Sequence, residues 1–201
     1  MKPKVIAFIG IDGAGKTTVI REVKQRLTEK GTQCSLEYMG LGRNYNVPAL
    51  GNLLAFYSRV KYRKEKKGDK SPSVRDNYRI RSFMWVCVQY AELWMRYIRL
   101  RWSRNVDYVL CDRYFYDGLI LSNPRTYRIF KRLTPVPFKS FLVYAHPEII
   151  VRRKNEATEG NVADFYNRVE KLKGHFSISV IDNNRSLTAV VDDVLEEIGK
   201  C

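Results

Sequence analysis

An apolar run that passes directly into a glycine-rich turn constrains this chain more than any other stretch. Val5-Ile6-Ala7-Phe8-Ile9 reads as a buried strand, and GIDGAGKTT, Gly10 to Thr18, follows at once. Gly10, four further residues, then Gly15-Lys16-Thr17 match the phosphate-binding loop pattern at every fixed position. The spacing has a chemical reason. A polyphosphate must be met by several backbone N–H groups together, and Gly10, Gly13 and Gly15 remove the Cβ atoms that would obstruct the approach. A helix starting near Lys16 adds unpaired N–H groups and the positive end of its dipole. Ala14 and Thr18 contribute further amides, Lys16 reaches the outer phosphates, and the Thr17 hydroxyl is placed to ligate Mg²⁺.

The rest of the chain alternates strand and helix. Val19, Ile20, Val23 and Leu27 share one helical face, and Gly31 is a natural stop. Gln33 to Met39 reads as a second strand, and Gly40 to Pro48 as the loop beyond its carboxyl end, where open α/β sheets bind ligands. Ala49 to Lys64 reads as a helix running into a basic cluster, Arg59 to Lys67, best taken as a solvated helix end. A long helix follows to about Ser103, with Ser73 or Asp76 as its cap and its aromatic residues mostly core and pocket wall. Tyr108 to Cys111, Phe141 to Ala145 and Ile178 to Ile181 read as strands. Helices are expected from Ile149, over Asp164 to Lys173 and over Val190 to Ile198. The expectation is one α/β domain over residues 1–201 with a parallel sheet of about five strands covered by helices on both faces.

Composition narrows the function classes. The chain has 201 residues and a net charge of +15, which suits an anionic partner: a phosphorylated small molecule, a nucleic acid or an acidic membrane surface. Phe83 to Trp102, the most apolar later stretch, carries Glu92, Arg96, Arg99 and Arg101 and makes a poor membrane span. The N-terminal residues lack a secretory pattern, and the four cysteines form no CxxC pair, so a reduced, cytoplasmic protein without a zinc site is expected.

A second motif is CDRYFYDG, Cys111 to Gly118. Asp112 ends an apolar strand, where folds of this kind place the carboxylate that organises Mg²⁺ or activates a nucleophile. Arg113 beside it suits forked contacts with a phosphate.

With these residues the sequence resembles the thymidylate kinase family. FIGIDGAGKTT is similar to that family's phosphate loop, including the acid at Asp12, and VLCDRY to its DRY motif. Pro147 to Arg153 resembles the passage into the family's lid, here about residues 150–165, and Ile181 to Leu187 its last strand with the loop beside the adenine. The resemblance implies a P-loop kinase that uses ATP and Mg²⁺, with a nucleoside monophosphate as acceptor and dTMP first among them. It implies Thr17 and Asp112 at the metal, and Arg152 or Arg153 neutralising charge on the moving phosphoryl group. Asn184 and Arg185 fall beside the nucleotide; Asp12, Arg43, Tyr90, Arg113 and Tyr114 fall on the acceptor side.

Departures from the family pattern lie on that acceptor side. Tyr38 to Arg43 stands where the family has an Arg-Glu-Pro turn, Ala91 where it has a helix arginine, and Phe115-Tyr116-Asp117 where it has Ser and Gln. A kinase of another phosphorylated metabolite, a sugar or lipid-linked phosphate, is the alternative enzyme. A nucleotide-gated protein holding nucleic acid is the less favoured reading, and a homodimer is compatible with either.

Overall fold

A computed structural model describes residues 2–40, 72–102, 105–120, 124–153 and 158–200, the second of these with side chains from residue 86 onward. The expected helix over residues 49–64, the basic 59–67 cluster and Arg43 lie outside them.

The elements follow the hydrophobic patterns closely. In chain order they are β1 (Lys4–Ile9), α1 (Lys16–Glu29), β2 (Cys34–Tyr38), α2 (Pro72–Trp102), β3 (Tyr108–Asp112), α3 (Tyr116–Ile120), α4 (Pro124–Leu133), β4 (Lys139–Tyr144), α5 (Pro147–Arg153), α6 (Glu159–Lys173), β5 (Ser179–Asp182) and α7 (Leu187–Gly199). The long helix begins at Pro72, so Ser73 and Asp76 lie inside it and neither precedes it as a cap. Proline suits a first helical position because its missing N–H would have no helical partner there. Two helices after β3, α3 and α4, were not anticipated from the sequence pattern.

All four strand pairings are parallel, and the strands run in the order β2-β3-β1-β4-β5. β1 is therefore central, and its side chains alternate between two cores. Ile6 and Phe8 pack with Val19, Ile20, Val190 and Val194 beneath α1 and α7. Val5, Ala7 and Ile9 pack with Leu93, Phe115, Phe130 and Leu172 beneath α2, α3, α4 and α6. A strand buried on both faces reads as continuous hydrophobic sequence, as this one does. Each large side chain so buried stabilises the sheet by about 1.5–3 kcal/mol.

The register sets the level of the functional groups. Phe8 and Tyr38 are both opposite Asp112, so the carboxyl ends of β1, β2 and β3 finish together. A third cluster, Ala14, Ala145, Ile150 and Val162, packs α5 and α6 against the loop after β1. No helix among the described residues is long and apolar enough to cross a membrane.

Candidate active site

The loop between β1 and α1 is held by glycine conformations and by contact from a distant strand. Gly10 has φ +151° and its missing Cβ would lie 2.8 Å from the Val143 carbonyl oxygen, so any side chain there collides with β4. Gly15 has φ +88° and caps α1; a Cβ on it would run into Asn183 Nδ2. Asn183, just beyond β5, donates from Nδ2 to the Ala14 carbonyl at 2.7 Å. The loop is thus clamped by a residue just beyond the edge strand β5.

The loop opens into a cleft of about 450 Å³ lined by Asp12, Gly13, Gly15, Lys16, Thr17, Thr18, Tyr38, Asp112, Arg113 and Arg153. Lys16 is buried and donates from Nζ to the Ile11 carbonyl at 2.9 Å, with Asp12 Oδ1 at 3.8 Å. Burial and the neighbouring Arg113 guanidinium push its ammonium below the ordinary value, against Asp12, Asp117 and Asp112. Arriving phosphate charge acts in the opposite direction and favours the protonated form.

Thr17 Oγ1 donates to Asp112 Oδ2 at 3.0 Å, which joins the start of α1 to the end of β3. The other carboxylate oxygen, Asp112 Oδ1, is buried and without a hydrogen-bond partner. One hydroxyl, one carboxylate and an unused oxygen beside a phosphate cradle suit Mg²⁺, which takes few protein ligands and completes its octahedron with water and substrate phosphates. The residues present therefore fit that ion.

Arg113 is the most constrained residue in the cleft. It is the one non-glycine of positive φ among the described residues, at +71°, and its N–H donates to the Phe8 carbonyl at 2.9 Å. Its guanidinium donates from Nη1 to Asp117 Oδ2 at 2.6 Å and from Nη2 to Asp12 Oδ1. Burial opposes its charge, but the two carboxylates, Asp117 foremost, raise its affinity for the proton above the ordinary value. Gly40 sits under this group, since a Cβ there would meet the Tyr38 hydroxyl and Arg113 Cδ.

The C-terminal end of α5 contributes one of its two adjacent arginines. Arg153 donates from Nη1 to the Gly13 carbonyl at 3.1 Å, over the phosphate loop. Arg152, its neighbour in the last turn of α5, is exposed and does not line the cleft.

Several expected site residues stand elsewhere. Tyr90 is in the core, edge-on to Phe115 and tilted against Phe130, and its hydroxyl pairs with Thr134 Oγ1 at 3.0 Å. Tyr114 is fully buried and donates to the Pro135 carbonyl at 3.0 Å. Asn184 accepts from the His146 N–H at 2.9 Å and so anchors the start of α5, while Arg185 pairs with Asp193 on α7. Conversely, Asn183, Tyr38 and Asp117 enter the site without having been singled out. Asp117 had a sequence signal, its position four residues after Arg113 at the start of a helix.

No family model matches the sequence, and no curated protein is similar to it by sequence. Among solved structures it is similar to thymidylate kinase from Candida albicans, with TM-score 0.65 and 15% identity over 99% of this chain and 92% of that one. It is also similar to deoxyadenosine kinase from M. mycoides, with TM-score 0.55 and 12% identity over 98% of this chain and 100% of that one. At these identities the likeness is one of fold: a parallel five-stranded sheet with helices around it.

Proposed function

We propose that this chain is an ATP- and Mg²⁺-dependent phosphotransferase acting on a nucleoside monophosphate, with dTMP the leading acceptor. The observation that carries the reading is the convergence of the phosphate loop, the Thr17–Asp112 pair and Arg113 on one cleft. A donor held by the loop amides and Lys16 would share one cleft with Arg113, which would bring the donor and acceptor groups into a single site. Most of the catalysis then comes from positioning and charge neutralisation. When bound, Mg²⁺ would supply positive charge that helps neutralise the phosphoryl group in transfer. Asp112 orients that ion together with the Thr17 hydroxyl; Arg153 covers the loop from the lid side; Arg113 and Asp12 meet the acceptor. The reading assigns the protein to the cytoplasm, where ATP and Mg²⁺ are supplied, and needs no second copy of the chain. The names of the two structural neighbours, one a thymidylate kinase and one a deoxyadenosine kinase, agree with an acceptor built on a nucleoside.

A second reading is a different phosphorylated acceptor, such as a sugar phosphate. It is favoured by Tyr90, which turns into the core and leaves Tyr38 as the one aromatic lining the described cleft. ADP release from Mg·ATP, screened across nucleoside monophosphates and then sugar phosphates, separates the two. Acceptor-dependent release with dTMP supports the first reading; release with a sugar phosphate alone supports the second.

A further inference from the structure

Helix α4, ten residues long, carries Arg125, Arg128, Lys131 and Arg132 and no acid. Arg128 stands three residues before Lys131 and four before Arg132, so like charges adjoin along the helix, which by itself is destabilising. Among the described residues no carboxylate pairs with Arg125, Arg128 or Arg132, whereas Arg168 on the neighbouring α6 pairs with Asp164. The same helix leaves aliphatic side chains in water. Ile129 is 49% exposed and Leu133 51%, one helical turn apart, and Val136, three residues on, is 70% exposed. Single exposed aliphatic residues are ordinary; a run of them beside uncompensated cations marks an interaction surface. These side chains cannot turn inward. Thr126, Phe130 and Thr134, spaced by four, already fill the inward positions. The Leu133 carbonyl accepts from Trp94 Nε1 at 3.1 Å and the Pro135 carbonyl from the Tyr114 hydroxyl at 3.0 Å, which fixes the end of the helix. Positive charge continues to α6 and the turn after it: Lys131 Nζ donates to His175 Nε2 at 3.1 Å, and Lys171 lines a groove with Pro124 and Tyr127. Leu133 and Val136 lead into the amino end of β4, opposite the strand ends that carry the cleft.

We propose that the outward face of α4 is a docking face for an acidic phospholipid surface. Its arginines donate to headgroup phosphates, and Ile129, Leu133 and Val136 enter the apolar boundary beneath them. Both halves of the face choose the partner. A nucleic acid supplies phosphates, but it is held by polar and stacking side chains and offers little to three aliphatic ones. The aromatic residues of α4 are not available for stacking on a base: Phe130 is buried, and Tyr127 lies against His175. The contact is peripheral, since no helix among the described residues is long and apolar enough to cross a membrane. It leaves the cleft open and is independent of the phosphotransferase reading.

The test is sedimentation of the full chain with vesicles at about 0.1 M salt, made of phosphatidylcholine alone or with about one third phosphatidylserine. Binding should require the acidic lipid. Arg128→Gln combined with Arg132→Gln should weaken it on the order of 25-fold, about 5-fold for each cation. Ile129→Ser combined with Leu133→Ser leaves the charge intact and should weaken it roughly tenfold or more. No preference for acidic vesicles, or binding that either pair of substitutions leaves unchanged, overturns the proposal. So does tighter binding to a short DNA duplex that the serine pair does not weaken, which marks a nucleic-acid face. If the serine pair fails to fold, Leu133→Trp decides the apolar half. Its tryptophan emission should shift to the blue on acidic vesicles by more than that of the wild type, and an equal or absent shift overturns the proposal.

Discussion

The Thr17 hydroxyl and the Asp112 carboxylate, 95 residues apart in sequence, are 3.0 Å apart across the cleft, and the second Asp112 oxygen is buried beside them without a partner. Asp112→Asn keeps the size and the acceptor oxygen but removes the charge. Transfer should fall by at least about 10²-fold, and the Mg²⁺ concentration for half-maximal rate should rise. Titrating Mg²⁺ at fixed ATP checks this; an unchanged Mg²⁺ dependence would remove Asp112 from the metal site.

Lys16→Ala should abolish measurable transfer and weaken ATP binding, because the lysine is a point charge for the outer phosphates. Lys16 is buried, with its ammonium on the Ile11 carbonyl. The variant should nevertheless fold, since truncation leaves no buried charge behind. Calorimetric ATP binding with a circular dichroism melt tests both halves.

The two arginines at the end of α5 should separate. Arg153→Ala should lower kcat by about 10²-fold or more, toward the range of arginine fingers, and Arg152→Ala should change it far less. This follows from Arg153 lining the cleft over Gly13, where Arg152 is not among the lining residues. Equal losses would show that the lid rearranges around the donor.

Much of this was legible in the sequence, and the limits have physical reasons. The phosphate loop and Asp112-Arg113 could be read because a strand end and a fixed glycine spacing leave few alternatives. Tyr90 was misleading as a pocket residue, although Tyr90, Trp94 and Tyr97 recur at helical spacing, which is the signature of a core stripe. Asn183 and Asn184 are adjacent and identical in type; only the geometry after β5 decides that Asn183 reaches the loop. Asp117 sits in an aromatic stretch whose dominant signal is burial, so its pairing with Arg113 was hidden behind its neighbours.

Alkaline pH should destabilise the fold through its buried phenols. Burial raises Tyr116 to about 12, against a smaller opposing effect of the Ser140 hydrogen bond. The unfolded chain loses this proton near pH 10 and the native state near pH 12, so stability falls as pH rises between those values. The share of Tyr116 is on the order of 2–3 kcal/mol. Tyr116→Phe should flatten that part of the melting curve from pH 9 to 12, and an unchanged slope would place the titration elsewhere.

The central claim is that one cleft joins a Mg·ATP donor to an acceptor gripped by Arg113. The most direct measurement is ADP release from Mg·ATP with and without dTMP, in the wild type and in Arg113→Ala. The account predicts acceptor-dependent release in the wild type and an acceptor KM raised roughly 10- to 150-fold in Arg113→Ala, with the ATP KM unchanged. Acceptor-dependent release at an unaltered KM in Arg113→Ala would contradict it.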